Sequence, residues 1–225
     1  MAQLHPCLDD DGNPVVIRNP TTPTSPASWL APTQVATVVP GGALPEALNG
    51  IPLAPWNCAP RTSEAWARLG ARAAIEEPPF VLPAGLSAAA GAVVVEDDGR
   101  IWLVAPSNRF GNYDATFPKG RADPGASLHC TAIRETYEEA GLHVELVDFL
   151  IDSRRTLTFT RYYIARRVGG TPAAMGWETQ AVHLVPRAQL GCVAGYLNDR
   201  GVIAAACAWM DAHLGQAGCM KQGSY

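Results

Sequence analysis

The clearest helical period in the chain runs through residues 128–140, where Cys130, Ile133, Tyr137 and Ala140 recur at i, i+3, i+7 and i+10. That spacing draws an apolar stripe along one side of a helix. Ser127 stands where an N-cap would, and Gly141 where a left-handed C-cap stops the helix, so the pattern predicts both ends. On either side the period shortens to that of strands. Residues 91–96 (GAVVVE) and 100–105 (RIWLVA) are β-rich runs joined by Asp97-Asp98-Gly99, which predicts a hairpin. Residues 143–152, 156–168 and 179–185 predict three further strands, the second ended by Gly169-Gly170-Thr171-Pro172. Residues 198–214 predict a second helix, with Ile203, Cys207, Met210 and Leu214 on one side and Gly215 as its stop. Hairpin, loop, helix, strands, helix is the order of an α/β protein, an α/β/α sandwich with a mixed sheet.

Residues 1–86 have a different texture. Fourteen of the nineteen prolines fall there, with Thr and Ser interspersed over residues 19–28. Proline removes ladder donors, so long regular elements are not expected before residue 60. Yet Val35, Leu44, Leu48, Ile51, Leu53, Trp56 and Trp66 supply too much apolar surface for a solvated linker. Residues 62–74 read as a short helix, capped by Thr62 or Ser63. The expected organisation is a Pro-rich N-terminal extension, 1–86, and a domain at 87–225. The extension packs on that domain or on a second subunit, which in the second case makes a homodimer.

Composition narrows the partners. A formal net charge of −4 offers no general attraction for nucleic acid or an anionic membrane. No apolar run approaches the roughly 18 residues that span a bilayer. The opening MAQLHPCLDDDGNP has neither a basic nor an apolar signal region, so no signal peptide is expected and the expected location is cytoplasmic. The six cysteines (Cys7, Cys58, Cys130, Cys192, Cys207, Cys219) form no CxxC pair and read as reduced thiols. Lys119 and Lys221 are the only lysines, so positive charge is almost all arginine, the residue suited to forked phosphate contacts.

The chemistry concentrates on the first helix. Glu135, Glu138 and Glu139 fall at i, i+3 and i+4 and share one face within about one turn. They repel one another, and in the C-terminal half of the helix the dipole opposes them too. A solvated acidic face is the plain alternative; a bound cation relieves both problems. Hard oxygen ligands without His or thiolate suit Mg²⁺ or Mn²⁺.

Gly120, followed by Arg134-Glu135-Thr136-Tyr137-Glu138-Glu139-Ala140-Gly141-Leu142 at this spacing, resembles the box of the Nudix hydrolases. Those enzymes use Mg²⁺ to hydrolyse a diphosphate linkage in a nucleoside diphosphate joined to another group. The resemblance covers about residues 87–215 and implies the same sandwich fold. It implies metal ligands at Glu135, Glu138, Glu139 and the Gly120 carbonyl, with Arg134 pairing with the box carboxylates. Two positions depart from the family pattern: Ala126 replaces the usual first Glu, and Thr136 replaces an aliphatic residue.

Outside the box the candidates are fewer. Pro118-Lys119-Gly120 resembles the Nudix branches acting on dinucleoside polyphosphates and diphosphoinositol phosphates, and makes Lys119 and Arg121 candidate phosphate contacts. Arg154 and Arg155 precede a predicted strand and are favoured as further phosphate contacts, while Arg166 and Arg167 read as solvated strand edges. Glu178, after Gly176-Trp177, is the candidate fourth carboxylate, with Asp152 as competitor. The proline that marks ADP-ribose hydrolases is absent from residues 156–158. Tyr162 and Tyr163 come later than the tyrosine typical of dinucleoside polyphosphate hydrolases. The expected activity is Mg²⁺- or Mn²⁺-dependent hydrolysis of a small-molecule diphosphate, with a polyphosphorylated substrate favoured. The alternative, suggested by Ala126, is a Nudix-like nucleotide-binding or regulatory module with weak catalysis.

Overall fold

The computed structural model describes residues 3–214. The extension contains β1 (Gln3–Leu8) and β2 (Pro14–Ile17), paired antiparallel, then β3 (Ala36–Val38), the two-residue strands β4 (Ala47–Leu48) and β5 (Ile51–Pro52), and α1 (Ser63–Gly70). Thr62 caps α1 by accepting from the Ala65 N–H. The rest of the chain forms β6 (Ser87–Val94), β7 (Arg100–Pro106), β8 (Lys119–Arg121), α2 (Leu128–Ala140), β9 (Leu142–Arg154), β10 (Thr158–Gly170), β11 (Thr179–Pro186), the short α3 (Leu190–Val193) and α4 (Arg200–His213). Gly215 lies outside the described residues.

The strands form two larger sheets. One is mixed, in the order β8-β6-β10-β9, with β6 and β10 parallel. The other is antiparallel, β3-β11-β7. The predicted hairpin is therefore corrected. β6 and β7 meet only through the Val95–Ile101 bridge and the Glu96 N–H donated to the Arg100 carbonyl. Both edges of β6 are already taken, by β8 over residues 89–91 and by β10 over residues 87–94. Past the Asp98-Gly99 turn, β7 diverges to pair with β11.

Alternation along these strands builds two cores. Ala92, Val94, Trp102, Val104, Val182 and Leu184 face α2, where Cys130, Ile133 and Ala140 meet them. Val93, Ile101, Leu103, Tyr162 and Ile164 face the other way, onto Val202, Ala206 and Met210 of α4. Helices thus cover both faces. Ser127 accepts from the Cys130 N–H at 3.1 Å to open α2, and Gly141 closes it at φ 67°.

One arginine and one aspartate are not where the sequence put them. Arg167 is no solvated edge: it is 2% exposed, donates to Glu96 Oε1 at 2.6 Å, and also reaches the Leu48 carbonyl at 2.9 Å. Asp152 does not compete for the site, because both its oxygens accept from Arg161, at 2.8 and 2.7 Å. The Arg161 guanidinium lies 5.0 Å from the Phe80 ring centroid and 4.9 Å from that of Phe149. Arg166 is exposed and pairs with Glu145.

Parts of the extension enter the core. Trp29 is fully buried against Trp102, their rings 5.8 Å apart, and its carbonyl accepts from Arg100 at 2.7 Å. β3 completes the antiparallel sheet, and there Thr37 Oγ1 lies 2.9 Å from Nδ1 of its register partner His183. Burial holds the His183 imidazole down, to about 4. Its folded pKa lies below the unfolded value, so its contribution is present above about pH 6.5 and is lost as pH falls toward 4. A displacement from 6.5 to about 4 is worth about 3 kcal/mol. His183→Asn keeps an acceptor near Nδ1 without a titrating ring. Urea unfolding is expected to show wild type losing about 3 kcal/mol more than this variant between pH 7 and pH 4; parallel curves would contradict it.

Among the described residues no helix is long and apolar enough to cross a membrane. The five described cysteines are free thiols.

Candidate active site

α2 presents its carboxylates to β8. A Cβ at position 120 would overlap the Glu135 carboxylate and push it aside, so glycine lets that carboxylate lie against the β8 backbone. The next residue back, Lys119, donates its backbone N–H to Glu139 Oε2 at 2.7 Å. Helix periodicity supplies the three glutamates; β8 fixes where two of them point.

Arg134 ties the acidic face together. Its guanidinium lies 3.1 Å from Glu135 Oε1 and 3.6 Å from Glu138 Oε2. It also lies 3.1 Å from Asp123 Oδ2, in the turn that enters α2. Asp123 is an acidic partner from outside the helix. Ala126, where the family pattern has Glu, donates its N–H to the Asp123 carbonyl and closes that turn.

Glu178 faces the same region from the loop before β11. The Gly176 N–H donates to the Glu138 carbonyl at 2.7 Å, which docks this loop on α2. Burial, then Glu139, pushes the Glu135 carboxyl up to about 8. Burial lifts Glu139 to about 7 against the pull of Lys119. Glu138 and Glu178 are raised as well, burial first, and Glu178 adds to the shift of each α2 glutamate. Four carboxylates therefore share one field. Burial lowers the Lys119 amine, with Glu139 pulling the other way.

The donor set is all oxygen, crowded and reluctant to ionise together, which fits a hard divalent cation that would take the place of protons. Among the described residues no three His, Cys, Asp or Glu side chains close on a common point. Glu135 is turned to Arg134 and Glu139 to the Lys119 amide.

The candidate phosphate contacts divide. Lys119 Nζ sits 5.4 Å from the Tyr113 ring centroid, beside the carboxylates. Arg121 is exposed at the end of β8, and Arg154 is exposed at the end of β9. Arg155 is buried, and its guanidinium is already engaged by Asp199, by Tyr162 Oη at 2.6 Å and by Tyr113 Oη at 2.8 Å. It anchors Tyr113, which carries Lys119 on its face and packs at a tilt against Tyr196, their rings 4.4 Å apart. Sequence reading missed Asp199 because nothing local marks a carboxylate that meets its arginine from 44 residues away.

The model of the NUDIX domain family matches residues 85–206, more than half of the chain. The chain belongs to the NUDIX domain family. Among curated relatives, "Nucleoside diphosphate-linked moiety X motif 6" of Xenopus laevis is 41% identical over 61 residues, 27% of this chain and 28% of that protein. An "RNA pyrophosphohydrolase" of Shewanella piezotolerans is 34% identical over 84 residues, 37% of this chain and 45% of that one. The chain thus spans less than half the length of either relative. Among solved structures, a C. elegans Ap4A hydrolase aligns over 56% of this chain and 99% of its own, with TM-score 0.47 and 20% identity. A NUDIX hydrolase from Nitrosomonas europaea aligns over 81% and 88%, with TM-score 0.47 and 17% identity. The NUDIX match begins two residues before β6 and omits β1 to β5 and α1.

Proposed function

We propose that this NUDIX domain hydrolyses a diphosphate linkage in a nucleoside diphosphate joined to another group, or in a polyphosphorylated substrate. The observation that carries the reading is the electrostatic field shared by Glu135, Glu138, Glu139 and Glu178, with Glu135 against the Gly120 backbone and Glu139 on the Lys119 amide. The names of the two curated relatives agree with this class of linkage. Glu135, Glu138, Glu139 and the Gly120 carbonyl would hold Mg²⁺ or Mn²⁺. Bound there, the ion would neutralise phosphoryl charge and acidify water.

The chain's own groups then have separate tasks. Arg134 holds Glu135 and Glu138 in place and offsets their repulsion. Lys119 and the exposed Arg121 and Arg154 take the outer phosphates; Arg155 acts one step removed, by fixing Tyr113. Glu178 orients a water molecule and accepts its proton. The water oxygen bonds to phosphorus, the bridging P–O bond breaks, and the leaving phosphate departs with the electron pair. A raised carboxyl pKa suits that role, since a base works best when its pKa lies near the operating pH.

The test is a panel of 5′-triphosphorylated RNA, dinucleoside polyphosphates, nucleotide sugars and ADP-ribose, each assayed with Mg²⁺ or Mn²⁺ for phosphate or nucleotide release. Turnover of at least one is the expected result. The second reading, a binding or regulatory module, is favoured by Ala126 alone. It predicts a ligand-induced rise in Tm with no product from any member of the panel.

A further inference from the structure

The hairpin of β1 and β2 lies wholly outside the family match. Its polar groups are nevertheless spent on the loop that carries Glu178. His5 is the one buried residue of β1. Its Nδ1 accepts from the Cys7 N–H at 3.0 Å, which leaves the proton on Nε2, and Nε2 donates to the Thr179 carbonyl at 3.0 Å. Two residues on, Cys7 Sγ lies 3.9 Å from the Met175 carbonyl. At the hairpin turn, Asp10 Oδ1 accepts from Trp177 Nε1 at 3.1 Å. Met175, Trp177 and Thr179 are thus each held from this one hairpin, and Glu178 stands between the last two.

The second strand of the hairpin holds the neighbouring loop. Asn108, in the left-handed region at φ 56°, donates through Nδ2 to the Val16 carbonyl and accepts the Arg18 N–H at Oδ1, both at 2.8 Å. Its own N–H donates to Gln180 Oε1 at 3.0 Å, while Gln180 Nε2 donates to the Asn19 carbonyl and to Thr21 Oγ1, both at 2.8 Å. Ser107 completes the clamp: its N–H donates to the Glu178 carbonyl and its Oγ to the Trp177 carbonyl, both at 2.7 Å. With Gly176 docked on α2, the chain on either side of Glu178 is tied, and residues 3–21 hold both Trp177 and Thr179.

We propose that residues 3–21 are a strap that fixes the Glu178 loop against α2, with His5 a positioning residue that acts through Glu178. The proposal rests on the reading of Glu178 as the fourth carboxylate of the site. Physically, the buried Thr179 carbonyl loses its donor when His5 is removed and must find another by shifting its peptide. Glu178 is the residue just before it, and a displacement of about 1 Å of a catalytic group is enough to slow a reaction severely. The strap also places Asp10 beside Glu178, where its charge adds to the rise of the Glu178 carboxyl.

The experiment uses the full chain with His5→Phe, which fills the volume without a donor, His5→Gln, which restores one, Glu178→Gln, and the double variant His5→Phe/Glu178→Gln. kcat and KM are measured on the fastest substrate of the panel, and hydrogen exchange is followed at the amides of residues 176–179. His5→Phe is expected to lower kcat about tenfold with KM little changed, the scale seen when a group that orients an active-site residue is lost. His5→Gln should recover most of that loss, and the 176–179 amides should exchange faster in both variants that carry His5→Phe but not in His5→Gln or Glu178→Gln. The double variant should be no slower than Glu178→Gln, because both changes act through one group. Independent, multiplying losses would overturn the proposal, as would wild-type kcat in His5→Phe beside a slow Glu178→Gln. If Glu178→Gln is as active as wild type, the reading of Glu178 fails; unchanged exchange at 176–179 would then remove the strap as well. Should His5→Phe not fold, Asp10→Ala in the exposed turn carries the same comparison through Trp177.

Discussion

Glu139→Gln is expected to lower hydrolysis about a thousandfold without unfolding the protein. The amide keeps an oxygen where Oε2 accepts the Lys119 N–H, so the link from β8 to α2 survives. What disappears is one negative charge from a group of four carboxylates. If that ligand contributes about 4 kcal/mol to transition-state stabilisation, the rate falls by about three powers of ten. In the absence of divalent cation the same change relieves repulsion among buried carboxylates, so the apo Tm should hold or rise. Activity within a few fold of wild type, or a clear fall in apo Tm, would contradict this account of the acidic face.

The second large effect is on stability. Glu96→Ala removes the carboxylate that accepts Arg167 at 2.6 Å, Trp102 Nε1 at 2.8 Å and Asn49 Nδ2 at 3.0 Å. Glu96 and Arg167 are both buried, and deleting one partner of a buried pair leaves an uncompensated charge at about 3–5 kcal/mol. For a domain of this size that corresponds to a Tm lower by about 10 °C. Glu145→Ala is the internal control. It deletes an exposed pair with Arg166, one residue along the same strand, and should cost less than about 1 kcal/mol. Calorimetry of both variants checks the contrast; equal Tm shifts would contradict it.

Arg166 and Arg167 also show where sequence reading stops. They are adjacent and chemically identical, and only the fold sends one to solvent and the other to Glu96, 71 residues earlier. Arg155 is similar: its arginine character suggested phosphate, and its burial with Asp199 gives it a different task. By contrast, α2 was legible to within a residue, because Ser127 and Gly141 announce its ends through local chemistry. The three glutamates were legible for the same reason, since helical spacing alone puts them on one face. The β6–β7 hairpin was misread because the Asp-Gly turn is a local signal, while the choice of partner is made by β8 and β10 from elsewhere in the chain. His5, Asp10 and Asn108 carried no signal at all. Their importance lies in which loop they touch, and each meets its loop from at least 90 residues away.

The α2 carboxylates and the Gly120 backbone are expected to serve diphosphate hydrolysis by holding a divalent cation. The most direct measurement is the initial rate of hydrolysis of the fastest panel substrate by chelator-treated protein, as Mg²⁺ or Mn²⁺ is added back. No turnover is expected without the ion, then a saturable rise as it is restored, with the curve displaced to higher metal concentration in Glu139→Gln. An undiminished rate in excess chelator, or identical metal curves for the two proteins, would contradict it.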